Sequence, residues 1–193
     1  MALARRYVSE YSFGDNQVMA SEYKYARVEW ERRFLLARFP AEAKVTQVRR
    51  IVDRYIDGTT LRLRQMREDD GRQVFKLTQK LAAQMRGARQ GLITNIYLAS
   101  EEFDVLSQLP ARMLRKTRHS VPPFGIDVFE GELRGLVLAE AEFHSAEEAA
   151  ALEVPPFLHR EVTTDVRFSG GKLATATRDE LRQWLAEYGL TPG

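Results

Sequence analysis

The sequence predicts an α+β protein that is predominantly antiparallel β, with its strands closed into a barrel that has a polar interior and peripheral helices. Three observations predict this fold. Short segments of period-two alternation recur along the chain, turn-forming residues separate them, and charged residues occupy one face of several segments. Closure would pair the edge strands of such a sheet. A barrel of about eight strands can enclose one small ligand, which is why we place the charged face inside.

Nine segments have the alternation that is typical of strands. They are Arg27 to Leu36, Asp53 to Ile56, Thr60 to Arg67, Val74 to Lys80, Leu92 to Leu98, Met113 to Ser120, Ile126 to Leu133, Leu136 to Phe143 and Glu161 to Phe168. Turn signals such as Asp57-Gly58 and Asp69-Asp70-Gly71 separate several of them and predict hairpins.

Three helices are predicted between and after the strands. Two of them begin with capping boxes, Ser145-x-x-Glu148 and Thr177-x-x-Glu180. In a capping box two side chains accept hydrogen bonds from the unpaired backbone N–H groups at the start of the helix. The predicted helices are Glu101 to Leu109, Ala146 to Leu152 and Arg178 to Tyr188.

The composition fits one domain. The chain has 193 residues, of which 44% are apolar and 29% charged, and residues 1–23 show neither strand nor helix period. We therefore expect an N-terminal extension over 1–23 and one domain over 24–193. The net charge of +2 and the short apolar segments argue against nucleic acid and membrane as partners, so we expect a cytoplasmic protein. Because the chain has no cysteine, oxygen or imidazole must bind any metal.

Acidic residues form two pairs at period-two spacing, so each pair shares one face of its strand. The pairs are Glu29 with Glu31, and Glu140 with Glu142. Neighbouring carboxylates raise each other's pKa, which is unfavourable unless a cation lies between them. Carboxylate oxygens suit Mg²⁺ or Mn²⁺, which bind through a few carboxylates together with substrate phosphates. The four glutamates are therefore the candidate metal ligands.

Basic residues share faces on other strands. The sets are Arg62 with Arg64, Lys76 with Lys80, and Lys116 with Arg118. A solvated sheet face also alternates, and for any single strand that interpretation is sufficient. It does not explain why acids and bases lie on different strands. This segregation indicates a bound metal and a polyanion, because guanidinium and ammonium groups bind phosphate oxygens.

The order and spacing of these residues resemble the CYTH or triphosphate tunnel metalloenzymes, which include triphosphatases and class IV adenylyl cyclases. The resemblance spans roughly Lys24 to Leu173. It is carried by Val28-Glu-Trp-Glu-Arg-Arg-Phe-Leu, Leu61-Arg-Leu-Arg64, Lys76-Leu-Thr-x-Lys80, Lys116-Thr-Arg118, Asp127 before Phe129-x-Gly131, Leu138-x-Glu140-x-Glu142-Phe, and Val162-Thr-x-Asp165 running to Lys172-Leu-Ala174. The chain departs from the family pattern at Arg33, where lysine is usual, and over Ile93 to Tyr97, where many members have further acidic residues.

The resemblance implies an eight-stranded antiparallel tunnel and hydrolysis of inorganic triphosphate or a small organic triphosphate with Mg²⁺ or Mn²⁺. The expected metal ligands are Glu29, Glu31, Glu140 and Glu142. The expected catalytic residues are Glu29, Glu31, Lys76 and Arg118. The expected substrate-binding residues are Arg33, Arg62, Arg64, Lys76, Lys80, Lys116, Arg118, Arg167 and Lys172. Of these, Arg33, Lys80, Arg167 and Lys172 fit rim charges or structural ion pairs equally well. Asp127 and Asp165 are expected to orient bases.

Two other functions stay open. A class IV-type adenylyl cyclase would bind the phosphates in the same way, and a non-catalytic polyphosphate or nucleotide-binding module would bind without turnover. The sequence has no base-reading motif that separates these functions from hydrolysis. The expected partner is a triphosphate-containing small molecule, and a homodimer is left open.

Overall fold

The computed structural model describes residues 24–84 and 89–192, and the predicted extension over 1–23 lies outside this range. Nine strands follow one another within the described part. They are Arg27–Leu36 (β1), Gln47–Ile56 (β2), Leu61–Glu68 (β3), Gln73–Gln84 (β4), Arg89–Leu98 (β5), Ala111–Val121 (β6), Phe124–Phe129 (β7), Val137–Phe143 (β8) and Arg160–Glu161 (β9).

Eight of these strands close a barrel. Neighbours pair antiparallel in the order β1-β5-β4-β3-β2-β6-β7-β8, and β8 pairs back with β1. The strand β1 makes the closure because its residues 27–31 pair with β5 and its residues 30–36 pair with β8. The predicted closed, eight-stranded antiparallel barrel is confirmed.

The register of the barrel determines which charged residues are neighbours. Glu31 of β1 lies opposite Glu142 of β8. Arg64 of β3 lies between Asp53 of β2 and Lys76 of β4. Residues that are directly opposite each other point to the same face of a sheet. The acids of β1 and β8 therefore form one interior patch, and the bases of β3 and β4 form another.

The barrel interior is polar at one end and apolar at the other. Leu35, Leu114, Phe129 and Leu138 share a face with the charged residues of their own strands and pack against the C-terminal segment. We call this cluster the apolar plug. The C-terminal segment contributes Val162, Phe168, Leu173, Leu181, Trp184 and Leu185 to it. The apolar plug fills one end of the barrel and confines the polar space to the other.

Four α-helices accompany the barrel in the part of the chain that the structure describes. They are Ser100–Leu106 (α1), Ala146–Ala150 (α2), Gly170–Leu173 (α3) and Arg178–Glu187 (α4). The three predicted helices are confirmed with earlier ends, and α3 was not predicted. The capping box of α4 is formed, since the Thr177 hydroxyl accepts from the Glu180 backbone N–H and the Glu180 carboxylate accepts from the Thr177 N–H. None of these helices has the length and apolar character needed to cross a membrane.

The predicted strand Glu161 to Phe168 is wrong beyond its first residue. Only Arg160–Glu161 pairs with β1, opposite Leu35 and Phe34. The Asp165 carboxylate then accepts a hydrogen bond from the Arg167 backbone N–H at 3.0 Å and starts a 3₁₀ turn over Val166–Phe168. Asp165 caps this turn, which is a competing use of a short polar side chain, whereas Glu161 and Thr163 bind Arg32 and the backbone of Arg33 on β1.

Candidate functional site

A cavity of about 330 Å³ occupies the polar end of the barrel. Strands β1, β3, β4, β6 and β8 all contribute charged side chains to its wall. All but two of the predicted site residues line this cavity. Those that line it are Glu29, Glu31, Arg33, Arg62, Arg64, Lys76, Lys80, Lys116, Arg118, Glu140 and Glu142. The charges that were predicted to segregate by strand therefore face one another across a shared space.

The acidic pair of β1 is buried and bound to a lysine from β4. Glu29 and Glu31 are only 6% and 7% exposed. The Nζ atom of Lys80 lies 2.6 Å from Glu29 Oε2 and 2.8 Å from Glu31 Oε2. Burial alone would lower the pKa of Lys80, but attraction to Glu31 and Glu29 raises it above its ordinary value. In this structure one ammonium group bridges both carboxylates, and Glu31 also pairs with Arg33.

The acidic pair of β8 has two different environments. Glu140 accepts a hydrogen bond from Arg118. Burial would raise the pKa of Glu140, but Lys116 and Arg118 hold it well below its usual range. Burial and the neighbouring Glu29 raise the pKa of Glu142 instead. Within the described residues Glu142 has no ion-pair partner, so its charge is the one in the acidic patch that a bound cation would compensate most directly.

A buried aspartate orients the bases of β3. Asp53 is fully buried and accepts from Arg64 Nε at 2.6 Å and from Arg64 Nη2 at 2.7 Å. Arg62 Nε lies 3.6 Å from the same carboxylate. Burial favours the neutral carboxyl group, but Arg64 and Arg62 keep the pKa of Asp53 well below its ordinary value. The carboxylate fixes the direction of the Arg64 guanidinium group by two hydrogen bonds, and its charge attracts that of Arg62.

A second buried aspartate, Asp127 of β7, orients the bases of the neighbouring strand β6. Asp127 accepts from Arg118 Nε and Nη2, both at 2.6 Å, and forms an ion pair with Lys116. This agrees with the expectation that Asp127 orients bases. Burial lowers the pKa of Lys116 by more than Asp127 raises it. Lys116 and Arg118 are thus held in place at the boundary between the basic and acidic patches.

Lys76 is the least compensated base of the cavity. Among the residues that the structure describes it forms no ion pair, and its Nζ atom lies 6.0 Å from the centre of the exposed Tyr97 ring. Burial, with repulsion from Arg64 and Arg62, lowers its pKa from 10.5 to about 8. The positive charge of Lys76 is disfavoured in this environment, so an anion bound beside it would stabilise the charged form.

The basic patch also has an unused hydrogen-bond donor. The Nε atom of Arg62 is buried and has no hydrogen-bond partner in the described structure. Its Nη2 atom donates to Thr78 Oγ1 at 3.3 Å, and Thr78 Oγ1 donates to Asn95 Oδ1 at 2.7 Å. An unpaired buried donor is unfavourable unless a ligand satisfies it. A phosphate oxygen has the charge and the size to do so.

Two predicted substrate-binding residues do not line the cavity. Arg167 lies in the 3₁₀ turn, where Asp165 Oδ2 accepts from its Nη2 at 2.7 Å and Glu187 Oε2 from its Nη1 at 2.8 Å. Lys172 is exposed in α3. Arg167 was assigned to the site as part of the strand expected over residues 161–168, and the turn removes that basis. Lys172 was assigned from the family resemblance, and the structure places it outside the cavity wall.

Arg33 lines the cavity but is bound on several sides. It is 2% exposed, and its Nη2 atom lies 3.2 Å from Glu31 Oε1. Its Nη1 atom donates to the backbone oxygen of Phe168 in the C-terminal segment. These contacts make Arg33 a structural link between β1 and the apolar plug, the second of the two roles left open for it.

Several cavity residues were not predicted. Asp53 could have been found, because it lies at period-two spacing from Tyr55 in a segment that was read as a strand. The floor of the cavity could not, because Ser169, Gly170 and Gly171 reach it through the turn that was taken for a strand. The remaining residues that line the cavity and were not predicted are Arg27, Tyr55, Thr59, Thr60, Thr78, Ile93 and Asn95, whereas Asp53 lies behind the wall and contacts it through Arg64.

The four glutamates suit a divalent metal ion by chemistry and by position. They supply carboxylate oxygens, the ligands that Mg²⁺ and Mn²⁺ prefer, from adjacent strands of one wall. In the arrangement observed, no three acidic or histidine side chains of the described residues are placed to hold an ion together. The reason is that Glu29 and Glu31 point to Lys80 and Glu140 points to Arg118. Binding would require these ion pairs to open.

The chain is similar to triphosphatases over most of its length, although no protein-family model matches it. It is 33% identical over 154 residues to an inorganic triphosphatase of Nitrosomonas europaea, a match covering 76% of this chain and 96% of that protein. The structure is also similar to the crystal structure of an inorganic triphosphatase, with a TM-score of 0.51, 28% identity, and coverage of 77% of this chain and 95% of that one. A crystal structure described as a hypothetical protein matches with the same score and identity.

Proposed function

The chain belongs to the triphosphate tunnel metalloenzyme (CYTH) family, and on that premise we propose that it hydrolyses inorganic triphosphate or a small organic triphosphate. The observation that carries the proposal is the shared cavity, in which the basic patch of β3 and β4, together with the bases of β6 beside it, faces the acidic patch of β1 and β8. Each patch is unfavourable alone, and a metal ion with a polyphosphate would compensate both.

The basic patch would bind the phosphate chain. Arg64 and Arg118 are held by hydrogen bonds to buried aspartates, so little conformational entropy is lost when they bind a ligand. Lys76 would contribute a charge that has no ion-pair partner in the described structure, where its Nζ atom lies 6.0 Å from the Tyr97 ring centre. The unused Nε–H of Arg62 would donate to a phosphate oxygen. This arrangement supports binding of a short, highly charged chain over a neutral ligand.

Divalent metal dependence is part of the proposal. Glu29, Glu31, Glu140 and Glu142 would hold Mg²⁺ or Mn²⁺, which supplies Lewis-acid stabilisation of phosphate charge and lowers the pKa of bound water. In the proposed reaction on inorganic triphosphate, a water oxygen would bond to the terminal phosphorus and lose a proton to solvent, the bond from that phosphorus to the bridging oxygen would break, and orthophosphate and pyrophosphate would be released. Arg118 and Lys76 would stabilise the charge on the phosphoryl and leaving groups, the main contribution that a protein makes to phosphoryl transfer.

A binding protein without turnover is the second candidate. The observation that favours it is the pairing of Glu29 and Glu31 with Lys80, which leaves the metal ligands unassembled in this structure. Such a protein would bind triphosphate through the basic patch and release no product. A cytoplasmic location and a homodimer stay predictions.

One assay separates these functions. Purified full-length protein is incubated with inorganic triphosphate and, separately, with ATP, in Mg²⁺, Mn²⁺ or EDTA, and orthophosphate and cyclic AMP are measured. We expect orthophosphate from inorganic triphosphate that depends on the metal and disappears in EDTA. Cyclic AMP from ATP would support a cyclase. Tight triphosphate binding with no orthophosphate in either metal would support a binding module.

A further inference from the structure

The ammonium group of Lys80 occupies the space between two proposed metal ligands. Its Nζ atom is 2.6 Å from Glu29 Oε2 and 2.8 Å from Glu31 Oε2. The two carboxylates are almost completely buried, whereas the Lys80 side chain is 35% exposed and lines the cavity. Mg²⁺ binds carboxylate oxygens at about 2.1 Å. An ion shared by Glu29 and Glu31 would therefore take the place of this ammonium group.

A glycine on the neighbouring strand lies beside the lysine. Gly91 of β5 lies opposite Glu29 of β1 in the register of the barrel. A Cβ atom at position 91 would lie 3.6 Å from Lys80 Cε and 3.3 Å from the backbone oxygen of Leu81. Any longer side chain there would compete with the lysine for space. The sequence of β5 thus permits the lysine to reach the acidic pair.

The lysine has an alternative partner within its own reach. Lys80, Thr78 and Lys76 are at period-two spacing on β4, so all three point into the cavity, as its lining shows. A lysine side chain is a flexible four-carbon stem with three donors, and the exposed part of Lys80 faces the space that the phosphate chain would fill. Released from the carboxylates, its ammonium group would gain phosphate oxygens as acceptors.

We propose that Lys80 is a built-in counter-ion of the Glu29 and Glu31 pair that a divalent cation displaces, and that the displaced ammonium group binds triphosphate. The inference rests on the proposed function, because it takes the glutamates as the metal site. It makes metal and triphosphate binding positively coupled, since each ligand stabilises the arrangement that the other requires. Such coupling is reciprocal in binding free energy.

The test measures Mn²⁺ affinity in the absence of any phosphate, by titration calorimetry or by the electron paramagnetic resonance signal of free Mn²⁺. Wild type is compared with Lys80→Met and with the matched control Lys76→Met, which removes a lysine four residues away on the same face. Lys80→Met should bind Mn²⁺ about tenfold more tightly than wild type, because no ammonium group competes. Lys76→Met should change the affinity by no more than about twofold, since Lys76 contacts neither carboxylate.

A second measurement uses the wild-type protein and needs no variant. In ¹⁵N spectra of lysine side chains, Mg²⁺ alone should shift the Lys80 ammonium resonance, because its carboxylate partners are withdrawn, and should leave Lys76 nearly unchanged. A Lys80 resonance that does not move while Mg²⁺ binds would overturn the proposal even if Lys80→Met fails to fold.

The outcomes separate this inference from the proposed function. Equal Mn²⁺ affinities for all three proteins, together with metal-dependent orthophosphate release by the wild type, would refute the role of Lys80 and leave the function standing. If the wild type binds no Mn²⁺ and releases no orthophosphate, both proposals fail. Loss of Mn²⁺ binding in Glu140→Gln would confirm that the ion measured is the one at the glutamates.

Discussion

At the scale of single residues, buried aspartates determine what the bases of the site can do. Asp53 binds Arg64 and lies near Arg62, and Asp127 binds Lys116 and Arg118. A buried carboxylate is stable only when it is paired, so each aspartate depends on its bases as much as they depend on it. The same residues therefore contribute to stability and to the proposed binding of phosphate.

Replacing Asp53 with Asn should destabilise the protein strongly. The change leaves Arg64 buried without its partner, and removing one member of a buried ion pair costs about 3 kcal/mol or more. Urea unfolding monitored by circular dichroism measures the free energy. Asp179→Asn is the matched control, because Asp179 is 84% exposed in its pair with Arg182 and should contribute little. Equal losses in the two variants would contradict the role of Asp53.

The lowered pKa of Lys76 predicts how kcat/KM changes at alkaline pH. Its pKa is lowered to about 8, so the ammonium form that binds phosphate is lost as the pH rises through that value. For the proposed reaction, kcat/KM should then fall above a pH of about 8, because this quantity reports the pKa values of the free enzyme. In Lys76→Arg the fall should move to higher pH, since guanidinium stays charged. An unchanged alkaline limb in that variant would assign it to another group.

At the scale of elements, most strands were predictable and the turn after β9 was not. Two strand bounds were also wrong, since β2 begins at Gln47 rather than Asp53 and β7 ends at Phe129 rather than Leu133. In β1, Glu29 and Glu31 alternate with residues of the opposite face along a full strand, so the pattern and the structure agree. From Glu161 to Arg167 the polar residues alternate without a strand, because Asp165 caps a turn and Thr163 accepts from the backbone of Arg33. Alternation alone cannot distinguish these cases. The local alternative for a short polar side chain must be considered as well.

Arg167 should accordingly be dispensable for the proposed reaction. It is bound to Asp165 and Glu187 outside the cavity, so Arg167→Met should leave kcat/KM for triphosphate within about twofold of wild type. Arg118→Met is the comparison, because Arg118 lines the cavity beside Glu140 and should lower kcat/KM by about 100-fold or more. A large loss in Arg167→Met with an intact fold would return that residue to the site.

The floor of the cavity depends on a close contact between α3 and β2. A Cβ atom added at Gly170 would lie 1.9 Å from the Tyr55 hydroxyl oxygen, so Gly170→Ala must displace the ring. Overpacking of this kind costs about 1–3 kcal/mol. Gly171→Ala is the control, since its added Cβ would lie an ordinary 3.7 Å from Tyr55 Cδ1. Thermal unfolding should show a lower Tm for the first variant only, and equal Tm values would refute the contact.

At the scale of the whole molecule, barrel closure converts charge patterns on separate strands into one site. The acids come from β1 and β8, which are far apart in sequence but adjacent in the barrel. The alternation could be read from the sequence because charged and apolar residues occupy opposite faces along strands such as β1, β3 and β8. The apolar plug and the contacts of Lys80 could not be read from the sequence, because they depend on which residues of distant strands the closed barrel brings together.

The central claim is that the acidic and basic patches act together on one metal-bound triphosphate. The most direct measurement is the rate of orthophosphate release from inorganic triphosphate in Mg²⁺ by Glu29→Gln, compared with wild type and with Glu42→Gln, which changes an exposed glutamate. The account predicts that Glu29→Gln loses about 100-fold or more of kcat/KM while remaining folded, and that Glu42→Gln matches wild type. Wild-type rates in Glu29→Gln would contradict the account.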